Sequence, residues 1–114
     1  MMQELPITLS DLNFQEEVLN SKCPVLVSLE AEWSATCRII DPILRKISVE
    51  LSGIAKIGKL DVEKNRVGDN LPCKSLPAFL FYNHGELVDI RFGLASSDEL
   101  KSMILKLSSN SYEG

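Results

Sequence analysis

Residues 25–51 constrain the fold of this chain more than any other stretch. Val25, Leu26, Val27, Ser28 and Leu29 form a nearly unbroken apolar, partly β-branched run, the pattern of a strand covered on both faces. From Ser34 the period changes. Ile39, Ile40, Ile43, Leu44, Ile47 and Leu51 fall on one broad helical face, with Arg38, Arg45, Lys46 and Glu50 around it. Pro42 sits inside that pattern, where it removes one backbone hydrogen bond and predicts a kink. A buried strand passing at once into an amphipathic helix points to a crossover unit with parallel strand pairing.

The flanking sequence repeats the theme. Leu5–Leu9 reads as a short strand. Asn13 then stands as the cap of a helix through Asn20, with Glu16 in the capping-box position and Phe14, Val18 and Leu19 at helical spacing. A strand is predicted over Ile54–Val62, and a short polar helix or turn over Glu63–Asn70. Ala78–Tyr82 and Leu87–Phe92 read as a hairpin around Asn83-His84-Gly85, ended by Gly93. Ser96 or Ser97 caps a last helix carrying Leu100, Met103, Ile104 and Leu107. The predicted order is β-α-β-α-β-α-β-β-α: a mixed sheet with helices on both faces and a hairpin at one edge. No linker, repeat or low-complexity tract divides the 114 residues. One domain over 1–114 is expected, with its core at 5–107 and a flexible tail over 108–114.

Charge and cysteine usage exclude several classes. Twelve Lys and Arg against sixteen Asp and Glu leave a net charge of −4, and no basic block exists to grip a phosphate backbone, so no nucleic acid is expected as a partner. The longest apolar stretch, Leu76–Tyr82, covers seven residues and contains Pro77, too short for a membrane span. The start MMQELPITLSDL has neither the cationic head nor the apolar core of a secretory signal. A cytoplasmic address is therefore expected. Cys23, Cys37 and Cys73 are odd in number and widely spaced, and His84 is the one histidine. That inventory suits neither a secreted disulfide framework nor a zinc site, so no metal is expected.

Two runs, VLVSLEAEWSATCRIIDPIL and KSLPAFLFYNHGELV, resemble the thioredoxin family. The first resembles its central strand, active-site turn and second helix, with Trp33, Cys37 and Pro42 in the family's places. The second resembles its cis-proline segment and hairpin, with Pro77 in the cis-proline place, and Gly85 and Gly93 match two family glycines. The resemblance covers roughly residues 5–107. It implies a three-layer α/β/α sandwich with a central mixed sheet, a C-terminal hairpin and flanking helices. It further implies thiol–disulfide chemistry on cysteine-bearing protein partners, a thiol reductant and no cofactor. The partner-binding residues it implies are Trp33, Ala35, Thr36, Leu76, Pro77 and Gly93.

The departures from the family pattern bear directly on the chemistry. Ser34 takes the place of the attacking cysteine, and Ala35 and Thr36 replace the usual Gly-Pro. Ser28 stands where the family has a buried aspartate, and Glu30 where it has an aromatic. Lys59 matches the family's buried lysine without its usual partner. Dithiol reduction needs a thiolate to attack a disulfide and a second thiol to resolve the mixed disulfide. A serine hydroxyl has no sulfur to exchange. With His84 in a distant turn and Ser28 no base, a serine-nucleophile reading also fails. Ser34 is expected to cap the helix that starts there.

Cys37 is the one motif thiol. The helix dipole favours a thiolate in a first turn, whereas an inward-facing thiol in apolar surroundings stays protonated, so the two effects oppose each other. Cys73, four residues before Pro77, is a candidate second thiol, an independent modifiable thiol or a small residue filling a loop contact. Cys23 is assigned no role. Residues 28 and 30 share a strand face, which makes Glu30 the candidate carboxylate for Lys59, with Ser28 beside it; the alternative is two separate surface charges. Two functions follow: a single-cysteine redox protein of thiol–disulfide homeostasis that is a poor dithiol reductase, or a non-catalytic module binding a partner through a Trp33/Pro77 groove. A full reductase using Cys37 and Cys73 ranks last.

Overall fold

The β-branched run becomes the centre of a five-stranded sheet. A computed structural model describes residues 5–71 and 75–110. The strands are β1 (Ile7–Leu9), β2 (Val25–Glu30), β3 (Lys56–Asp61), β4 (Ala78–Asn83) and β5 (Glu86–Phe92), in the spatial order β1-β3-β2-β4-β5. β1, β3 and β2 run parallel, while β4 and β5 are antiparallel to their neighbours. Two long helices, α1 (Ala35–Glu50) and α2 (Ser97–Asn110), join a π-helical turn at Gln15–Leu19 and a 3-10 turn at Val67–Asn70.

The period of two along the strands sorts the side chains into two cores. Leu26, Ile57, Phe79 and Phe81 meet Ile40, Leu44 and Ile47 of α1 and Leu100 and Ile104 of α2. On the other face, Val25, Val27, Leu29, Leu60 and Leu80 are covered by Phe14 and Val18, with Val67 and Leu71 packed against them. The layers are therefore unequal, with long helices on one face and single turns on the other. The 10–20 segment buries only Phe14 and Val18, which is enough apolar surface for one turn.

Local hydrogen bonding moves several element boundaries. Asn13 does not cap a helix: its Oδ1 accepts from the Ser10 N–H at 2.7 Å and its Nδ2 donates to the Thr8 carbonyl at 3.0 Å, closing the turn after β1. The strand expected from Ile54 starts at Lys56, because the Ile54 and Ala55 N–H groups turn back onto the Leu51 carbonyl at 2.9 and 3.0 Å. Ser96, not Ser97, caps α2, its Oγ accepting from the Glu99 N–H at 3.1 Å. That helix continues through Asn110, past Ser108, where the flexible tail was expected to begin. His84 and Gly85 carry positive φ of 53° and 80°, the type I′ geometry that suits the strand twist. A Cβ on Gly85 would lie 2.5 Å from the Leu19 carbonyl oxygen, so only glycine lets the hairpin turn sit against the end of the π-helical turn.

One end of the sheet gathers the motif residues. Glu30 pairs with Asp61, Leu29 with Ala78, and Ala78 with Phe92. The ends of β2, β3 and β5 thus meet the start of β4. The Leu76–Pro77 peptide bond is cis, and the Gly93 N–H donates to the Pro77 carbonyl at 2.9 Å. Residues 31–34 lead from the end of β2 into α1, placing Trp33 through Cys37 at the same end.

Candidate functional site

The turn from β2 into α1 exposes its tryptophan and hides its sulfur. Trp33 is 70% exposed, Ser34 is 6% exposed and Cys37 is 4% exposed. Ala35 is exposed and Thr36 half-buried, while Leu76 and Gly93 are half-buried beside the buried Pro77. Ser34 has the extended backbone of a helix cap (φ −87°, ψ 111°) but makes no capping bond to the helix. Its Oγ instead lies 2.9 Å from the Thr36 Oγ1. The expected cap is corrected here: the Ser34 hydroxyl is engaged by a hydroxyl two residues on instead of a helix amide.

Cys37 opens onto a cavity of about 310 Å³ whose lining includes Glu30, Arg38, Asp41, Lys59 and Asp61. Ser28, Glu30 and Lys59 lie on the α1 side of the sheet, because they share parity with Leu26 and Ile57. Ser28 is fully buried in register beside Lys59, and its Oγ donates to Glu30 Oε2 at 3.2 Å. The Lys59 ammonium lies 2.8 Å from Asp41 Oδ1 and 3.6 Å from Glu30 Oε1. The pair considered for Lys59 is therefore a triad, and Asp41 is the member that the sequence reading missed. The signal was present, since Asp41 follows Cys37 by four residues and so shares its helix face.

Burial pushes the Glu30 carboxyl above its ordinary value, and Asp41 adds to the effect against the opposing charge of Lys59. Burial alone would lower Lys59, but the hydrogen bond to Asp41 and the charge of Glu30 outweigh it and hold the ammonium above its ordinary value. Two carboxylates thus share one cation next to the motif thiol. One sulfur in the turn permits a single thiol–disulfide exchange but offers no neighbouring thiol in the motif to release the product.

Cys73 lies outside the described residues. Cys23 is a half-buried free thiol beyond the opposite end of β2, with its Sγ 3.5 Å from Ser21 Oγ. Among the described residues, no His, Cys, Asp and Glu cluster is arranged to hold a metal ion, and no helix is long and apolar enough to cross a membrane.

Comparison with known proteins agrees with this geometry. The family model described as Thioredoxin matches residues 6–106. The thioredoxin of Buchnera aphidicola subsp. Acyrthosiphon pisum is 39% identical over 99 residues, which cover 86% of this chain and 92% of that protein. The thioredoxin of Rickettsia felis is 35% identical over 98 residues, covering 85% and 93%. Among solved structures, a mutant thioredoxin from Halobacterium salinarum superposes with a TM-score of 0.85 over 95% of both chains, at 21% identity.

Proposed function

Because the chain belongs to the thioredoxin family, we propose that it acts in thiol–disulfide homeostasis through one motif cysteine, Cys37, and is a poor dithiol reductase. The observation that carries this is the pairing of Ser34, buried and bonded to Thr36, with a Cys37 that opens onto the charged cavity. In the exchange, Cys37 sulfur attacks a partner disulfide, one Cys37–S–S–partner bond forms, and the partner's other sulfur leaves and takes the proton. Release then requires a thiol reductant, because position 34 holds no sulfur.

Trp33, Ala35, Thr36, Leu76, Pro77 and Gly93 form the partner-binding edge in this proposal, and Ser28, Glu30 and Lys59 tune the thiol. The protein works as one domain in the cytoplasm, a setting supported by its odd cysteine count.

The test uses a Cys23→Ser, Cys73→Ser background and a cysteine peptide carried as a mixed disulfide. Mass spectrometry should find the peptide on Cys37 in that background, and insulin reduction by the wild-type chain, with Cys73 in place, should show little turnover with a dithiol regenerator. Turnover like that of a dithiol thioredoxin overturns the proposal. A second reading, a binding module without sulfur exchange, is favoured by the 4% exposure of Cys37. It predicts that Cys37→Ser leaves partner capture unchanged.

A further inference from the structure

The turn after β5 is held by a single guanidinium. Arg91 Nη1 donates to the Phe92 carbonyl and Nη2 to the Leu94 carbonyl, each at 3.2 Å. Its Nε lies 2.7 Å from Glu99 Oε2. Glu99 stands in the first turn of α2, where its N–H donates to Ser96 Oγ. Between the two clamped carbonyls stands Gly93, with φ of +85° and no atom within 4 Å of where its Cβ would lie. Glycine is the softest backbone position available, and the space where a side chain would start is open. Its N–H nevertheless meets the Pro77 carbonyl, and Leu94 beside it is 49% exposed.

We propose that Arg91 is a positioning residue for the partner-binding edge. By gripping both carbonyls around Gly93 and anchoring on Glu99, it sets the 92–94 turn against Pro77 and presents Leu94 toward the partner. This inference rests on the partner-binding edge proposed above. The fork matters: a guanidinium reaches two carbonyls and a carboxylate at once, whereas a lysine ammonium acts as one point charge. A half-exposed ion pair by itself contributes little to stability, so the clamp acts on geometry more than on folding.

The experiment compares wild type with Arg91→Lys and Glu99→Gln in the Cys23→Ser, Cys73→Ser background. Amide exchange of Gly93 should quicken roughly tenfold in Arg91→Lys, while core amides of β4 keep their protection. Reaction of Cys37 with a cysteine peptide flanked by apolar residues, carried as its thionitrobenzoate disulfide, should slow about tenfold. Reaction with the thionitrobenzoate disulfide of 2-mercaptoethanol, which has the same leaving group but is too small to reach the turn, should not change. A peptide preference that survives Arg91→Lys, or unchanged Gly93 exchange, overturns the assignment of Arg91. A wild-type protein that shows no preference for the peptide overturns the binding edge itself, and the role of Arg91 with it.

Discussion

Ser34 occupies a cap without serving as one, and that distinction is measurable. Its hydroxyl bonds Thr36 rather than a helix amide, whereas Ser96 caps α2 directly. Ser96→Ala should therefore lower stability by about 1 kcal/mol, and Ser34→Ala by clearly less, as read from urea midpoints. Ser34→Cys places a second sulfur in the turn and should yield partial reductase activity. No gain in insulin reduction would show that the missing sulfur is not what limits turnover. Glu30 gives a pH signature. Its carboxyl is held above its ordinary value by burial, so the folded state keeps that proton more tightly than the unfolded chain does. The associated penalty is absent in acid and grows as pH rises through the ordinary and then the folded value. Glu30→Gln removes it, and Asp41 still holds Lys59. The stability advantage of Glu30→Gln should thus be larger at neutral pH than in acid. An advantage that does not grow with pH contradicts the burial account.

Among the elements, α1 carries the most, because it fills one core and delivers Cys37 and Asp41 to the cavity. Ile40 of α1 is fully buried in the core shared with the sheet and α2, so Ile40→Ala should cost about 2–5 kcal/mol in chemical unfolding. The hairpin turn is constrained differently. At Gly85, positive φ and the Leu19 carbonyl act together, so even Gly85→Ala forces the turn or the 15–19 segment to move. A loss exceeding the roughly 1 kcal/mol of a plain glycine-to-alanine propensity change is expected, with the alanine variant's thermal midpoint as the measure.

At the scale of the molecule, the proposed site collects at one end of the sheet, the end that carries exposed Trp33 and Leu94 and the one thiol of the 33–37 turn. Trp33→Ala should leave stability within about 0.5 kcal/mol, since the ring is solvent-exposed, yet weaken partner capture. Equal loss of both would make Trp33 a packing residue. The linear pattern already determined much of this architecture. The apolar run at 25–29, the helical face at 39–51 and the turn at 83–85 dictated central strand, long helix and hairpin, because hydrophobic period and turn chemistry act locally. The serine at position 34 was equally legible, since the absence of sulfur needs no coordinates. Three things waited for the tertiary structure. Asp41 joined Lys59 and Glu30 because the fold brings α1 within ion-pairing distance of β3, the neighbour of β2. Asn13 and Ser34 make their side-chain hydrogen bonds elsewhere, Asn13 to Ser10 and Thr8 and Ser34 to Thr36. Arg91 became a clamp only when β5, its following turn and α2 converged. The triad and the clamp depend on groups from separate elements coming within hydrogen-bonding or ion-pairing distance, and the two lost caps on which nearby group the local backbone aims at the side chain; spacing puts Asp41 on the helix face of Cys37 but does not give its distance to Lys59.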